Sequence, residues 1–414
     1  MENELLPILN DRLTEADRSV AEAVVALAAR RDEQAYLVGG SVRDLLLGRT
    51  HVDLDIAVEG DAIGLARELA EALKGRVVVH QAFGTASVEL ASSRVDLAQA
   101  RAETYSRPGA LPAVRSASIE DDLRRRDFTV NAMALRLTPP SAGQLLDPHD
   151  GRLDLEQRLI RVLREASFRD DATRMLRAVR YEVRLGFRLD EETARLLRRD
   201  LAYLEPISGA RLRAELVAMF FEERTREMLA CCQDLGILQT LHPCLRFDGA
   251  ASSALTRAQK ERPAPWDEVC LCLLCWHCGE RDVESVVQRS ALPKRYERAL
   301  VDGVRLRERL PDLREPDAPP SRIVDLLDPL TVSSVWALAL RDDDVLAAER
   351  AHRFLLEWRY VKSFLGASAL RRLGVAAGPE LGALLRRLRA ARLDGLTHDR
   401  DEELELLGRK VDMV

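Results

Sequence analysis

Asp53-Leu54-Asp55 lies in a run from Val52 to Val58 that alternates apolar residues with acids, the pattern of a β-strand. On a strand both acids project from one face. Two carboxylates about 6 Å apart repel by roughly 3 kcal/mol at an effective dielectric near 20. A divalent cation between them removes that cost, and hard oxygen donors suit Mg²⁺, whose shell is completed by water and substrate phosphates. A solvated edge strand is the plainer explanation of an isolated Asp-x-Asp. The surroundings argue for the metal. Gly39-Gly40-Ser41-Val42-Arg43 follows the apolar segment Ala35 to Val38, and paired glycines let a ligand approach the backbone closely. A third acid, Asp96, sits in the apolar strand Val95-Asp96-Leu97. Three carboxylates on neighbouring strands beside a glycine turn would suit two-metal phosphoryl chemistry.

Two further clusters carry charge at useful spacings. Asp122-Leu-Arg-Arg-Arg-Asp-Phe-Thr-Val-Asn131 packs arginines, acids and an amide into one run. Arginine grips phosphate with paired hydrogen bonds, while Asp and Asn can take sugar hydroxyls. Phe128, Val130, Ala132 and Met133 set this run against a core, so Arg126, Asp127 and Asn131 are the site candidates. For Arg124 and Arg125 a solvated helix face serves as well. The other cluster is Asp170-Asp171-Ala-Thr-Arg174-Met-Leu-Arg177-Ala-Val-Arg180. Read as one helix, it places Asp171 beside Arg174, either as a functional pair or as an intrahelical salt bridge.

The elements that hold these residues are legible in outline. Residues 2–31 have helical periodicity. Strands are expected at 35–38, 52–58, 76–80, 86–90 and 94–98, with a helix over 60–73. This mixed α/β unit ends near Leu137. Thr138 to Gly143 is a loop by composition. Past Asp154 the strand signal disappears, and helical segments are broken at Pro206, His242-Pro243, Pro263 to Pro265 and Pro316 to Ser321. The stretch from Pro316 to Pro320 reads as a linker.

Composition narrows the class. The 414 residues are 47% hydrophobic and carry a net charge of −6, so RNA would have to be met by local arginine patches. Secretory-signal and membrane-span patterns are not found, and a cytoplasmic setting with reduced thiols is the reading. Four of seven cysteines, Cys270, Cys272, Cys275 and Cys278, alternate with Leu271, Leu273, Leu274 and Trp276. With His277 they raise the question of zinc, but ligands to structural zinc usually sit in loops, so a buried helix with thiols as small hydrophobes is expected.

Seven ordered motifs resemble the class II tRNA nucleotidyltransferase and bacterial poly(A) polymerase family. They are Leu-Val-Gly-Gly-Ser-Val-Arg-Asp-Leu-Leu-Leu-Gly (37–48), Asp-Leu-Asp-Ile (53–56), Phe-Gly-Thr-Ala (83–86), Val-Asp-Leu-Ala (95–98), Arg-Arg-Asp-Phe-Thr-Val-Asn-Ala (125–132), Leu-Asp-Pro-His-Asp-Gly-Arg-Leu-Asp-Leu (146–155) and the arginine-rich run 170–180. The resemblance implies an α+β fold, with a polymerase-β-like head (1–138) followed by helical neck (139–205), body (206–315) and tail (316–414) in a curved chain. It implies metal binding by Asp53 and Asp55, with Asp96 as a further catalytic acid. It assigns the triphosphate to Gly39, Gly40, Ser41 and Arg43, and the ribose to Arg126, Asp127 and Asn131. Asp171 and Arg174 would pair with the incoming base in place of a nucleic acid template, supported by Arg177 and Arg180. Two departures stand out: Asp170 where the family usually has Glu, and Ala210 where it often has an acid.

The implied activity is completion or repair of the tRNA 3′ end with Mg²⁺ and ATP, with CTP as a second substrate in one alternative. The tail sequence, Glu59-Gly-Asp-Ala-Ile63 and a loop from Ala102 to Asp121 lean towards addition of the terminal A. Full CCA addition, poly(A) synthesis and an inactive RNA-binding scaffold are the competing readings. Arg386, Arg387, Arg389 and Arg392 form a basic helical patch for tRNA phosphate, or else a solvated face. A membrane or a protein partner is not implied.

Overall fold

The computed structural model describes residues 5–408 apart from 105, 106, 108, 111 and 259–261. The chain divides into two compact units, Met1–Ile207 and Ser208–Val414.

The first unit is built on a seven-stranded mixed sheet. Its elements begin with helices α1 (Leu5–Arg12) and α2 (Glu15–Arg30), strand β1 (Gln34–Val38), helix α3 (Gly40–Leu46), β2 (Leu54–Glu59), α4 (Ala62–Ala72), β3 (Arg76–His80), β4 (Thr85–Glu89) and β5 (Arg94–Gln99). A ribbon of β6 (Arg101–Thr104) and β7 (Ala113–Ser116) follows, then α5 (Ile119–Arg124), β8 (Ala134–Arg136) and β9 (Leu145–Leu146). The sheet order is β3-β4-β5-β2-β1-β8-β9. Only β2 and β5 run parallel within it; their register sets Asp55 opposite Asp96.

Local chemistry explains the elements. The expected helix over 2–31 is two helices, because Thr14 caps α2 by accepting from the Asp17 N–H at 3.1 Å; residues 2–4 of that expectation lie outside the described residues. Val20, Val24, Leu27 and Ala28 then form the buried stripe of α2, which packs on β1 and α4. Asp61 caps α4 in the same way, accepting from the Gly64 N–H at 2.9 Å. On the other face, Tyr36, Val38 and Ala57 pack with Ile119 and Leu123 of α5. Glu59 secures that helix, taking the Ile119 N–H at 2.6 Å and the Tyr36 hydroxyl at 3.1 Å.

Helices α6 (Gly151–Gln157), α7 (Ser167–Asp170), α8 (Thr173–Leu185) and α9 (Glu191–Asp200) complete the first unit. Between them, β10 (Leu159–Ile160) pairs in parallel with β11 (Arg188–Leu189). Strand pairing therefore continues past Asp154, contrary to the sequence expectation; two-residue strands are too short to leave a period. The segment expected as a loop over 102–121 is in part the β6–β7 ribbon and the start of α5. Tyr105, Ser106, Pro108 and Leu111 of that segment lie outside the described residues.

The second unit is helical. At its centre, every residue of helix Trp266–Leu274 is buried, packed by helices Gly209–Phe220, Gly249–Ala258, Lys294–Glu308 and Val332–Ala339. Its two acids are satisfied internally: Asp267 by Arg295 at 2.6 Å and Glu268 by the Ser333 hydroxyl at 2.6 Å. The buried-helix expectation holds for Cys270 and Cys272, while Cys275 is buried in the turn that ends the helix; burial pushes all three thiols well above their ordinary range, to about 12 for Cys275. It fails for Cys278, which is joined to Cys244 in a disulfide, so the expected reduced thiols are corrected for this pair. The 316–320 stretch is no free linker. Arg350 donates to the carbonyls of Leu313, Glu315 and Pro316 at 2.7–2.9 Å, and Pro320 opens helix Pro320–Leu327. Among the described residues no helix is long and apolar enough to cross a membrane.

The Glu59 bridge is one carboxylate serving a helix start and a core tyrosine. Glu59→Ala leaves the Ile119 N–H without its acceptor and is expected to destabilise the first unit by about 1–3 kcal/mol. Urea unfolding followed by tryptophan-independent far-ultraviolet signal checks this; an unchanged midpoint contradicts the assigned anchor.

Candidate active site

The site grows out of the sheet register. Ser87 on β4 pairs with Asp96 on β5, and Asp96 with Asp55 on β2, so three polar side chains form a row across three strands. Asp53 lies one residue before β2 and is exposed. Burial pushes the Asp55 carboxyl up, and the charges of Asp96 and Asp53 push it further; Arg126 pulls against them. Asp96 is drawn aside by its neighbours, accepting from the Ser87 hydroxyl and from Arg94 at 3.1 Å. The three acids do not close into a three-ligand cluster: among the described residues the one group of that kind, within 4.8 Å, is His242, Cys244 and Asp282. Arg94 supplies Asp96 with a counter-charge from its own strand.

Facing this row is the glycine turn. Gly39 sits at φ +66°, a backbone angle that demands glycine, and a Cβ there would lie 2.5 Å from Arg126 Nη1, so a side chain would also have to push the arginine tip aside. Ser41 comes close enough to Asp55 to favour its charged form, against the upward push of burial, yet its buried hydroxyl makes no hydrogen bond of normal geometry. Such an orphan beside a destabilised carboxylate fits a site that a cation and phosphate oxygens complete. Asp53, Asp55 and Ser41 are all oxygen donors, as a hard divalent cation requires.

Behind the turn is a network of charges that positions rather than exposes. Arg43 is 3% exposed, donating to Asp44 at 2.9 Å and to Asn131 Oδ1 at 2.7 Å. Asn131 donates to Asp127 at 3.1 Å, and Asp127 takes both Nε and Nη2 of Arg177, at 2.8 and 2.6 Å. Burial alone would raise Asp127, but Arg177, Asn131 and Arg174 outweigh it and hold the carboxyl at about 2. Arg126 binds Asp122 at 2.9 Å and the Asn131 carbonyl at 3.4 Å. Burial opposes the charge on Asp122 as well, and Arg126 and Arg125 overcome it. Of the three adjacent arginines, Arg124 is exposed against Asp121, as a solvated face requires, whereas Arg125 braces Asp122 and Glu103.

The 170–180 run is not one helix. Asp171 has an extended backbone between α7 and α8, and its carboxylate accepts from the Thr173 N–H at 3.0 Å and the Thr173 hydroxyl at 2.7 Å. The N-cap position of α8 is Ala172, and Asp171, one residue before it, turns back to take the N–H of the first helical residue. Arg174 is buried, donating to the Ser167 hydroxyl at 2.8 Å and the Arg125 carbonyl at 2.7 Å. Asp170 takes Arg164 at 2.8 Å, a contact within reach of its short side chain.

Two features escaped the sequence reading. Tyr181 lies under Arg43, Arg177 and Arg180, at 5.3, 5.5 and 5.7 Å from its ring centre, with Phe128 edge-on at 5.8 Å. Its i,i+4 spacing from Arg177 was the available signal. Ser87, which holds Asp96, had none in sequence; only strand pairing reveals it. In the second unit, the basic patch is split. Arg389 donates to the Val361 carbonyl at 3.0 Å and pairs with Asp328 at 2.6 Å, and Arg392 stacks on Phe364 at 4.0 Å while donating to the Lys362 carbonyl. Arg386 is exposed and Arg387 half-buried.

Asp127 generates a pH test. A carboxyl depressed from about 3.9 to about 2 contributes stability of about 3 kcal/mol that is fully present above about pH 5 and lost progressively as pH falls towards 2 and below. Asp127→Asn is expected to lose that amount at pH 7 and to show a shallower loss between pH 5 and 3. Parallel acid limbs in wild type and variant would show that the carboxylate carries no such coupling.

Comparison with known proteins places this geometry in context. Residues 35–161 match the poly(A) polymerase head domain, and residues 186–248 match a probable RNA- and SrmB-binding site of polymerase A. An A-adding tRNA nucleotidyltransferase of Halalkalibacterium halodurans is 39% identical over 63% of this chain and 63% of its own length. A CC-adding tRNA nucleotidyltransferase of Deinococcus radiodurans is 32% identical over 90% of this chain and 88% of its own. A solved CCA-adding enzyme, apo form II, superposes with a TM-score of 0.85 at 30% identity, covering 98% of each chain. The chain spans 26–63% of the length of the A-adding relatives it matches. Nucleotidyltransferases of this kind generally use divalent metal ions. These matches extend along nearly the whole chain, and the protein belongs to the poly(A) polymerase and tRNA nucleotidyltransferase family.

Proposed function

We propose that the chain extends the 3′ end of tRNA by one nucleotide at a time without a nucleic acid template, and that its product is the terminal A of the CCA end. The observation that carries the reading is the row Ser87, Asp96, Asp55 facing the Gly39-Gly40 turn and Arg126. In this reading Asp53 and Asp55 hold Mg²⁺ and Asp96 lies beside them as the further catalytic acid. Bound there, such an ion would neutralise phosphate charge and favour ionisation of the RNA 3′-hydroxyl, whose proton would pass to solvent. The RNA 3′ oxygen bonds to the α-phosphorus of ATP, the bond to the bridging oxygen breaks, and pyrophosphate leaves with that oxygen.

The remaining residues divide by exposure. Gly39 and Gly40 admit the triphosphate to the backbone, and Ser41 donates to it. Arg126, next to Gly39, meets phosphate; Asn131 and Asp127 shape the ribose side. Arg43 is committed to Asp44 and Asn131, so its role is to hold that amide rather than to grip phosphate directly. Asp171 and Arg174 are assigned to the base edge, Arg174 through the donors that the Ser167 hydroxyl and the Arg125 carbonyl leave over, with Arg177 and Arg180 over Tyr181 beside them. The head, neck, body and tail boundaries at 138, 205 and 315 belong to the same proposal, as do a cytoplasmic setting and tRNA phosphate contact by Arg386 and Arg387. Arg389 and Arg392, engaged with carbonyls of the 359–362 segment, shape that surface.

A second reading is full CCA addition, favoured by the near full-length match to a CC-adding relative and to solved CCA-adding enzymes. The two separate on one substrate. Given tRNA lacking its last three nucleotides and CTP alone, the A-adding reading expects no extension, while tRNA ending in CC takes one A from ATP. Two added C residues would overturn the A-only assignment, and long A tails on unstructured RNA would favour poly(A) synthesis.

Two variants test the chemistry. Asp53→Ala and Asp55→Ala are expected to lower incorporation at least 10³-fold with tRNA binding near normal; substantial activity in either contradicts the metal site. Asp171→Ala is expected to admit UTP or GTP, because a site that hydrogen-bonds one base edge rejects others by up to about 10⁴-fold. Unchanged nucleotide preference would reduce Asp171 to a partner of the Thr173 N–H.

A further inference from the structure

The second unit gathers four donors of zinc type away from the carboxylate row. His242 and Cys244 follow helix Ile237–Leu241, and Cys278 and Asp282 flank the start of helix Glu280–Arg289. One ligand atom each from His242, Cys244 and Asp282 lie within 4.8 Å of one another, and His242 Nδ1 is 3.1 Å from Cys244 Sγ. Cys278, fully buried, is bonded to Cys244, with 5.3 Å between their Cα atoms. Tetrahedral zinc with sulfur at about 2.3 Å needs two thiolates roughly 3.8 Å apart, which side-chain rotation at that Cα separation allows.

The details suit a ligand set. The Cys244 N–H donates to His242 Nδ1 at 3.2 Å, so the lone pair of a neutral imidazole already faces the cysteine; the ion would take it. Asp282 uses Oδ2 to accept the Gly279 N–H at 2.9 Å, which fixes the carboxylate beside Cys278. His277 is not part of the set, being paired with Asp248 at 2.6 Å. Cys270, Cys272 and Cys275 are not part of the set: the donor atoms that gather within 4.8 Å of one another are those of His242, Cys244 and Asp282, to which the disulfide joins Cys278. The four ligands lie in a loop and at a helix start, where structural zinc is usually held.

We propose that, in the reduced protein, His242, Cys244, Cys278 and Asp282 bind one Zn²⁺, which ties the end of helix Ile237–Leu241 to the start of helix Glu280–Arg289. From the disulfide form, a thiol reductant supplies two electrons and two protons and itself becomes a disulfide; zinc then displaces the two thiol protons. Disulfide and zinc are alternative staples of one joint.

The test uses the full chain, treated with a phosphine reductant, loaded with ZnSO₄, freed of excess metal by gel filtration and assayed for zinc by mass spectrometry. Wild type and the control Cys272→Ser are expected to retain about one zinc per chain, and Cys244→Ser and His242→Ala less than a tenth of that. Because Cys244→Ser also removes a staple, Co²⁺ titration of the unaltered reduced chain gives a second reading: a thiolate-to-cobalt charge-transfer band that Zn²⁺ abolishes. Zinc in reduced wild type no higher than in Cys244→Ser, absence of that band, or a disulfide that survives the reductant would each overturn the proposal.

Discussion

The repulsion among Asp55, Asp96 and Asp53 is the constraint around which the first unit is arranged. No fold gains stability by setting a half-buried carboxylate in register with another. Here the register of β2 and β5 is dictated by the apolar residues between the acids: Leu54, Ile56 and Val58 on one strand, Val95 and Leu97 on the other, all buried. A slip by one residue would turn every one of them outwards. The core therefore compels the acids into a row, and Arg94, Ser87 and Arg126 moderate the result without removing it.

A second set of charges joins the sheet to α8. Asp127 is the hinge of that set, holding Asn131 on one side and Arg177 on the other, while Arg43 and Arg177 close over Tyr181. Arg43, Asn131 and Asp127 are buried and bonded to one another in a chain that Arg177 closes from the partly exposed side, the condition under which a polar network adds rigidity instead of cost. Their rigidity fixes the Gly39 turn and the Arg174 side chain in one frame, so that phosphate, ribose and base would be read from a single preorganised surface.

Strand faces were legible because alternation survives in Val52–Val58 and Arg94–Ala98, and the glycine turn because only glycine suits its backbone. The acids and arginines of the site could be named for the same reason: their types and spacing carry the chemistry. What could not be read depends on partners distant in sequence. Ser87 reaches Asp96 only through β4–β5 pairing, and Cys244 finds Cys278 across 34 residues with no repeating spacing. Asp171 was placed inside a helix because its neighbours have helical periodicity, but an Asp that captures the Thr173 N–H precedes the helix instead of continuing it. In the tail, sequence gives no sign that Arg389 and Arg392 donate to carbonyls of the 359–362 segment, because those partners lie about 30 residues away.

The central claim is that the carboxylate row is kept at a cost to stability for the sake of a cation. Asp55 titrates above its ordinary range, so its charge destabilises the metal-free fold; stability should rise as pH falls from neutral through that raised value and Asp55 takes up a proton. The direct measurement is the unfolding free energy of wild type and Asp55→Asn, without divalent metal at pH 7 and again with Mg²⁺ and ATP. The account expects the variant to be as stable as wild type or more so without metal, and wild type alone to gain stability when metal and nucleotide are added. A variant that is less stable than wild type in the absence of metal, together with equal gains for both on adding Mg²⁺ and ATP, would contradict it.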